Sequence, residues 1–239
     1  MTTPRTVTIS PVRYPKGMTN SSPTGLLHMY PEVDHTKVYT RFTDFSQYVA
    51  GDWTVTNTTS HATIALTAGV GGILSLAGGG LSVANDLAGI QENPFSFNFA
   101  SGKKVWFKAR LNVETALNNQ LMFGLTTSNA AATATDGIYF NKAAAAATVD
   151  FVVKKSSTAT TQSAVATLAD ATYAELGFYY NGKSEIQVYL NDVKVYSQTT
   201  LTNLPSAVSL GLGVVTMLAA TAPTTSILLV DYIFAAQEK

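Results

Sequence analysis

Apolar and polar residues alternate with a period of two along most of the chain after residue 37. The clearest case is KVWFKARLNVE, residues 104–114. One face of this segment holds Val105, Phe107, Ala109, Leu111 and Val113. The other face holds Trp106, Lys108, Arg110 and Asn112. Successive side chains of a strand point to opposite faces, so the pattern predicts a half-buried strand with a polar outer face.

Short segments of the same kind recur to the end of the chain, and no long helix or internal repeat interrupts them. The alanine run at 143–147 favours helix by propensity, but five residues between two strands are too few, so a loop is predicted. Glycines in AGVGGILSLAGGGLS indicate turns, because the GK[ST] ending of a phosphate loop is missing. The last segment, SILLVDYIFAA, is apolar on both faces and is expected to be central in its sheet or covered by a subunit. The pattern predicts an all-β chain folded as a two-sheet antiparallel jelly roll.

Three strands joined by two tight turns are predicted over residues 175–197, ELGFYYNGKSEIQVYLNDVKVYS. The second turn, at Asn191–Asp192, is expected to be a two-residue loop, since both residue types tolerate the positive φ it needs. The pairs that follow are Leu190 with Val193 and Val188 with Val195.

The first turn, at Asn181–Gly182, cannot be a plain two-residue loop. Such a loop would set Phe178 against Glu185 and so join the core face of one strand to the polar face of the next. A shift of the strand register by one residue would expose the apolar side chains of the core face. Each lost burial would cost about 2 kcal/mol, as for Ile186. A three- or five-residue connection is therefore predicted. The pairs proposed for it are Tyr180 with Ser184, Phe178 with Ile186 and Leu176 with Val188.

These registers divide the three strands into two faces. The predicted core face holds Leu176, Phe178, Ile186, Val188, Leu190, Val193 and Val195. The other face holds Tyr179, Glu185, Gln187, Tyr189, Lys194 and Tyr196. The candidate exposed aromatic face comprises Trp106, Tyr179, Tyr189 and Tyr196. Amphipathic rings suit ligand binding, although the ordinary preference of tyrosine for strands explains them equally well.

Residues 1–36 differ from the rest and are interpreted as an extended N-terminal arm ahead of a β-sandwich domain at 37–239. Most of the eight prolines lie in the arm, and proline interrupts regular ladders. The residues interpreted as candidates for an interface with another subunit are Arg5, Arg13, Lys16, Leu26, Leu27, Met29 and Tyr30. A disordered tail is the alternative interpretation, although such apolar residues have little use in one.

Composition narrows the classes of function. Charged residues make up 13% of the chain, against roughly 25% in ordinary soluble domains. Such a surface is typical of proteins that lie against other subunits, and a secreted β-protein has the same character. The formal net charge is zero, so neither nucleic acid nor membrane is expected as a partner. The absence of cysteine excludes disulfides, cysteine-based zinc sites and thiol nucleophiles. The opening residues lack a signal-peptide pattern, and a soluble protein made in the cytoplasm is expected.

The sequence contains few residues in patterns that indicate catalysis or metal binding. Glu185 and Asp192 stand alone in the sequence, and no pair of acids is spaced along a strand as glycosidases of this fold require. The histidines, His28, His35 and His61, have no metal-binding spacing. No enzyme, catalytic residue, metal or cofactor is therefore predicted, although residues distant in sequence can converge, so a glucanase-type enzyme remains a third hypothesis.

The run from KVWFKARLNVE through LGFYYNGKSEIQVYLNDVKV resembles a family of tailed-bacteriophage head decoration, or cement, proteins and virion structural proteins. The opening KGMTNSSPTG, then KVYTRFTDFSQYVAGDWTVT and the closing VDYIFAAQEK, are similar to the same family. This resemblance implies a concanavalin-like jelly roll without catalysis. It also implies homotrimers fastened to the outer surface of the virion head, with the major capsid protein as partner.

Two hypotheses follow. The first is a capsid decoration protein, made in the host cytoplasm, that stabilises the head by bridging neighbouring capsid subunits. The alternative is a lectin-like module on the virion surface, whose exposed aromatic residues stack on sugars.

Overall fold

The computed structural model describes residues 37–58, 62–69, 71–78, 86–218 and 226–239. The predicted arm at 1–36 lies outside the described residues. The same holds for the seven interface candidates on it, Arg5, Arg13, Lys16, Leu26, Leu27, Met29 and Tyr30, and for the three histidines. These predictions therefore stay predictions.

The described part of the chain is all-β, with a single turn of 3₁₀ helix at Ala50–Asp52. Its strands are β1 (Val38–Thr43), β2 (Trp53–Asn57), β3 (Ala62–Thr67), β4 (Ile73–Gly78), β5 (Leu87–Glu92), β6 (Val105–Val113), β7 (Asn119–Thr126), β8 (Gly137–Lys142), β9 (Thr148–Lys155), β10 (Thr158–Thr167), β11 (Thr172–Tyr180), β12 (Ile186–Leu190), β13 (Val193–Gln198), β14 (Gly211–Leu218) and β15 (Ser226–Glu238). No helix in the described ranges is long and apolar enough to cross a membrane.

The strands form two antiparallel sheets. The larger sheet has the order β13-β12-β11-β6-β15-β4-β3, and β1 also pairs with β15. The smaller sheet has the order β10-β9-β8-β7-β14-β5-β2. β15 lies between β6 on one side and β4 and β1 on the other, so the prediction that this apolar strand is central is confirmed. The predicted two-sheet jelly-roll sandwich is likewise confirmed.

The core between the sheets is built on phenylalanine rings from both of them. Phe107 and Phe178 of the larger sheet stack with ring centroids 5.2 Å apart, and Phe140 of the smaller sheet lies 6.4 Å from Phe107. Phe151 completes the contact from the smaller sheet, 5.8 Å from Phe178. Burial of each such side chain contributes roughly 1.5–3 kcal/mol, so this cluster fixes how the two sheets meet.

β6 has the two faces that its alternation predicts. All five residues of its apolar face are buried, whereas Trp106, Lys108 and Arg110 are half-buried on the outer face, which points away from the smaller sheet. The loop predicted at 143–147 is also present, because β8 ends at Lys142 and β9 begins at Thr148.

The connection between β11 and β12 has the odd length that face matching predicts. Residues 181–185 form it, so Phe178 pairs with Val188 and not with Ile186. The three proposed pairs are therefore wrong by two residues, although both core faces are preserved. Asn181 explains the longer loop, since its Oδ1 accepts hydrogen bonds from the backbone N–H groups of residues 183–185 at 2.9–3.2 Å.

The turn between β12 and β13 is the predicted two-residue loop. Asn191 and Asp192 both have positive φ, and Leu190 pairs with Val193. The next predicted pair is wrong, because a β-bulge places Val188 opposite Tyr196 and leaves Val195 as the extra residue. Bulges of this kind re-aim every side chain beyond them.

The predicted positions of three side chains are also wrong, and the bulge explains two of them, those of Val195 and Tyr196. Val193 and Val195, expected in the core, are 64% and 43% exposed. Tyr196, expected on the exposed aromatic face, is half-buried and packs against the core.

Candidate binding site

A groove of about 350 Å³ crosses the outer face of the larger sheet, over β15, β6, β11 and β12. The residues that shape it from this face are Trp106, Lys108, Gly177, Tyr179, Gln187, Tyr189, Asp192 and Phe234. Three of the four residues of the candidate aromatic face, Trp106, Tyr179 and Tyr189, are therefore brought together, and Tyr196 is not.

The floor of the groove is formed at Gly177. This residue pairs with Lys108 on β6 and with Tyr189 on β12, so it lies in the middle of the outer face. A Cβ atom at this position would lie 2.8 Å from the carbonyl oxygen of Phe107, closer than real Cβ contacts allow. Glycine therefore keeps the two strands in register and leaves an opening between the larger neighbouring side chains.

One wall of the groove is aromatic. Trp106 and Tyr179 are cross-strand partners, with ring centroids 5.4 Å apart and planes inclined by 30°. Tyr189 lies across the floor and donates a hydrogen bond from its hydroxyl to Gln187 Oε1 at 2.6 Å. The rings are thus held by one another and by this hydrogen bond, which reduces the entropy lost when a ligand binds.

The opposite wall is charged and internally paired. Lys108 Nζ lies 2.6 Å from Glu175 Oε1 and 2.7 Å from Asp192 Oδ1. Tyr232 donates its hydroxyl to the other oxygen of Glu175. Burial lowers the pKa of Lys108, but Asp192 and Glu175 outweigh burial, and the net shift of that pKa is upward.

A second polar cluster fixes the far end of the groove. Glu185 Oε1 accepts hydrogen bonds from Ser197 Oγ at 2.7 Å and from Lys194 Nζ at 3.2 Å. Gln187 Nε2 donates to the other carboxylate oxygen of Glu185 at 3.1 Å. These hydrogen bonds lower the pKa of Glu185, and the one from Ser197 has the largest effect. The bond from Gln187 also holds its side-chain amide in the orientation that accepts the Tyr189 hydroxyl.

The fold brings two carboxylates, Glu175 and Asp192, onto the same ammonium group of Lys108. A glycosidase needs one protonated carboxyl group as general acid and one free carboxylate. Here both groups bind the same ammonium, and Lys108 is the main cause that lowers the pKa of Asp192. The lowered pKa of Asp192 favours its carboxylate form, whereas a general acid must be protonated before it reacts.

In the described part of the chain, no group of three or more histidine, aspartate or glutamate side chains is placed to hold a metal ion.

Asp231, which the sequence places among apolar residues, forms an ion pair with Arg110 on the outer face. Arg110 also stacks over the ring of Tyr173, 4.3 Å from its centroid. Both contacts extend the outer face beyond the groove.

No protein-family model matches the sequence, and a search of curated proteins also finds no match. Solved structures do share the architecture. A protein of unknown function from Shewanella oneidensis MR-1 matches with a TM-score of 0.62 and 16% identity, over 92% of this chain and 96% of that one. A β-glucanase from Bacillus licheniformis matches with a TM-score of 0.58 and 12% identity, over 82% and 97% of the two chains.

Arcelin-5, a lectin-like defence protein from Phaseolus vulgaris, has the same architecture, with a TM-score of 0.57 and 13% identity over 85% of this chain and 99% of that one. At these identities the similarity establishes a common fold and does not extend to function. The chain is thus a concanavalin-like jelly-roll sandwich, as its sequence predicts.

Proposed function

We propose that the protein is a non-catalytic carbohydrate-binding β-sandwich whose outer-face groove binds a neutral glycan. The observation that carries this proposal is the arrangement of the groove, with Trp106 and Tyr179 on one side, the open floor at Gly177 and a polar wall opposite. A pyranose ring presents apolar C–H faces and a rim of hydroxyl groups. Aromatic rings fit those faces, and a few fixed polar groups fit the rim.

The charges of the groove favour a neutral glycan. Its polar wall contains Lys108 and Asp192, and Glu175, which lies outside the groove lining, pairs with the same ammonium. The carboxylate of an acidic sugar would meet excess negative charge there and a lysine that is already paired. Hydroxyl groups, in contrast, can donate hydrogen bonds to the exposed carboxylate of Asp192 without disturbing that pair.

The comparisons support this proposal only in general terms, since the lectin-like arcelin-5 and the Bacillus licheniformis β-glucanase share the fold. The groove does not favour hydrolysis, because Lys108 lowers the pKa of Asp192 and so holds this group as a carboxylate. A reducing-end assay on every glycan that binds tests this part of the proposal. Release of new reducing ends would overturn it.

A glycan array followed by titration calorimetry on the best ligand tests the proposed binding. Trp106→Ala is expected to weaken binding about tenfold or more, since a buried aromatic contact contributes on the order of 1–2 kcal/mol. Phe95→Ala is the matched control, because Phe95 is exposed on a turn and does not line the groove. Equal affinities for Trp106→Ala and the wild-type protein would contradict the proposal, provided that thermal melts show both folded.

We further propose capsid decoration as a second function, supported by the sequence resemblance that spans nearly the whole chain and by its low content of charge. The partners would be the major capsid protein and two further copies of this chain, on the outer surface of the virion head. The two proposals are compatible, because a lectin-like module can belong to a virion surface.

Co-sedimentation with capsids that lack the protein tests this second proposal. The full-length chain is expected to bind, whereas a shortened chain beginning at Thr36 is not, because the arm is the proposed anchor. Glycan binding should respond in the opposite way, surviving removal of the arm and failing in Trp106→Ala. If the full-length chain does not sediment with capsids, capsid decoration is wrong, and the carbohydrate proposal is unaffected.

A further inference from the structure

The row of side chains that passes through the groove continues beyond it onto β1. Cross-strand pairing places Phe42 opposite Phe234, Phe234 opposite Lys108, Lys108 opposite Gly177 and Gly177 opposite Tyr189. All of these residues point to the outer face of the larger sheet. The groove is therefore the middle of a longer row that runs across the strands.

Phe42 is conspicuous in this row because it is 59% exposed. Its ring centroid lies 6.3 Å from that of Tyr232, so the side chain rests beside another ring and leaves most of its surface to solvent. Arg41 and Tyr39, its neighbours on the opposite face of β1, both contact Glu92 across the sandwich. β1 is thus held to the smaller sheet from its inner side, while Phe42 lies on its outer side.

The length of the row excludes a single sugar as its occupant. Four strand spacings of about 4.8 Å separate Phe42 from Tyr189, or roughly 19 Å. One pyranose ring cannot contact both residues. An oligosaccharide laid across the strands can, with Phe234, Lys108 and Gly177 between the two ends.

We infer that the groove binds the interior of an extended glycan chain, and that Phe42 forms an outlying subsite on which a sugar beyond the groove stacks. This inference rests on the proposed carbohydrate binding and adds its direction, its length and one residue. The opposite end of the row, at Lys194, is occupied by the ion pair with Glu185 and offers polar contacts in place of a ring.

Calorimetric titration with a β-1,4-linked gluco-disaccharide and the corresponding hexasaccharide tests the inference. The wild-type protein is expected to bind the hexasaccharide more tightly. Phe42→Ala should weaken hexasaccharide binding by about three- to tenfold, the equivalent of one lost aromatic contact, and leave disaccharide binding unchanged. Phe42→Trp should retain the preference for the longer ligand, and Phe95→Ala should change neither affinity.

The outcomes separate this inference from the function on which it rests. An unchanged ratio of the two affinities in Phe42→Ala overturns the outlying subsite and leaves carbohydrate binding in place. A loss of both affinities in a folded Phe42→Ala protein also overturns it, because Phe42 would then act inside the groove. If the wild-type protein binds neither ligand, the proposed function fails for this class of glycan and the inference fails with it.

Discussion

The outer faces of the two sheets differ although both come from the same sandwich. On the larger sheet, the face is open, and aromatic and charged side chains line a groove. On the smaller sheet, the segment between β7 and β8 helps to cover the face. A second apolar cluster forms there, made of Leu87, Met122, Ala134, Tyr139, Val152 and Val215.

Hydrogen bonds hold this covering segment, residues 127–136 (the cover), to the strands beneath it. Asn129 Nδ2 donates to the carbonyl oxygen of Thr54 at 2.8 Å, and Asn141 Nδ2 donates to that of Ala132 at 2.8 Å. Among the described residues, one outer face is therefore covered by a segment of the chain, and the groove on the other face is not. A ligand site is expected on the face that the chain does not close, because apolar area left open in a folded protein is available for binding.

The largest effect is expected from damage to the closed face. Met122→Ala should lower the free energy of unfolding by about 2–4 kcal/mol, because Met122 is fully buried under the cover. Met217→Ala is the matched control, since Met217 only borders the same cluster and should cost less. Denaturant unfolding measures both. A loss of glycan binding in folded Met122→Ala would show that the two faces are coupled, against the comparison drawn above.

Two lysines, Lys108 and Lys142, differ in the partners of their ammonium groups. Lys108 on the open face binds two carboxylates, whereas Lys142, at the end of β8, is buried and donates to the carbonyl oxygens of Asn119 and Ala143. Burial lowers the pKa of Lys142 from 10.5 to about 8. Between these two values the unfolded chain holds a proton that the folded chain has lost, so the free energy of unfolding rises with pH.

The expected rise is roughly 1–2 kcal/mol between pH 8 and pH 9.5, in urea unfolding measured at closely spaced pH values. In Lys142→Met this part of the pH dependence should vanish, whereas Lys155→Met, a change at an exposed lysine, should retain it. A flat profile for the wild-type protein would mean that water or a carboxylate reaches Lys142.

A smaller effect is expected from loosening the cover without removing its apolar contacts. Asn129→Ala deletes the bond to Thr54 and also the bond that Thr56 donates to Asn129 Oδ1 at 3.0 Å. The expected loss is about 1–2 kcal/mol, with faster amide hydrogen exchange in residues 127–136. Ser128→Ala, which removes only a contact inside the loop, serves as control. Unchanged exchange in Asn129→Ala would show that apolar packing alone holds the cover.

The smallest effect is expected on the open face itself. Tyr189→Phe removes the hydroxyl that donates to Gln187 but keeps the ring. Stability should change by less than about 1 kcal/mol, and glycan affinity should fall less than about threefold, because stacking is retained. Tyr189→Ala should reduce the affinity more strongly. Equal effects of the two substitutions, measured by calorimetry, would assign the binding energy to the hydroxyl and not to the ring.

The sequence predicts what depends on alternation and misses what depends on single side chains. The faces of β6 and the odd length of the connection after Tyr180 follow from burying apolar residues, and both are confirmed. The register shift came from Asn181, whose side chain accepts three backbone hydrogen bonds and so lengthens the loop. Val195 was misplaced because a bulge has no signal in a regular alternating pattern.

The candidate site was harder to predict than the fold. Trp106, Tyr179 and Tyr189 were found because alternation assigns them to the outer face. Gly177 was missed, since a residue without a side chain gives no hydrophobic or polar signal. The ion pairs of Lys108 were also missed, because Lys108 and Asp192 are 84 positions apart and meet only when three strands pair.

The pairing of β1 with β15 has a consequence for the order in which the molecule is built. Val38 pairs with Glu238, and the backbone N–H of Lys239 donates to the carbonyl oxygen of Lys37 at 2.8 Å. Contacts between such distant parts of a chain form slowly, because a long loop must close before they stabilise anything. During synthesis, β1 cannot pair with β15 until nearly the whole sandwich has left the ribosome. Phe42 and Phe234 can therefore meet only after β15 has left the ribosome, and the row of side chains across the outer face cannot form before that point.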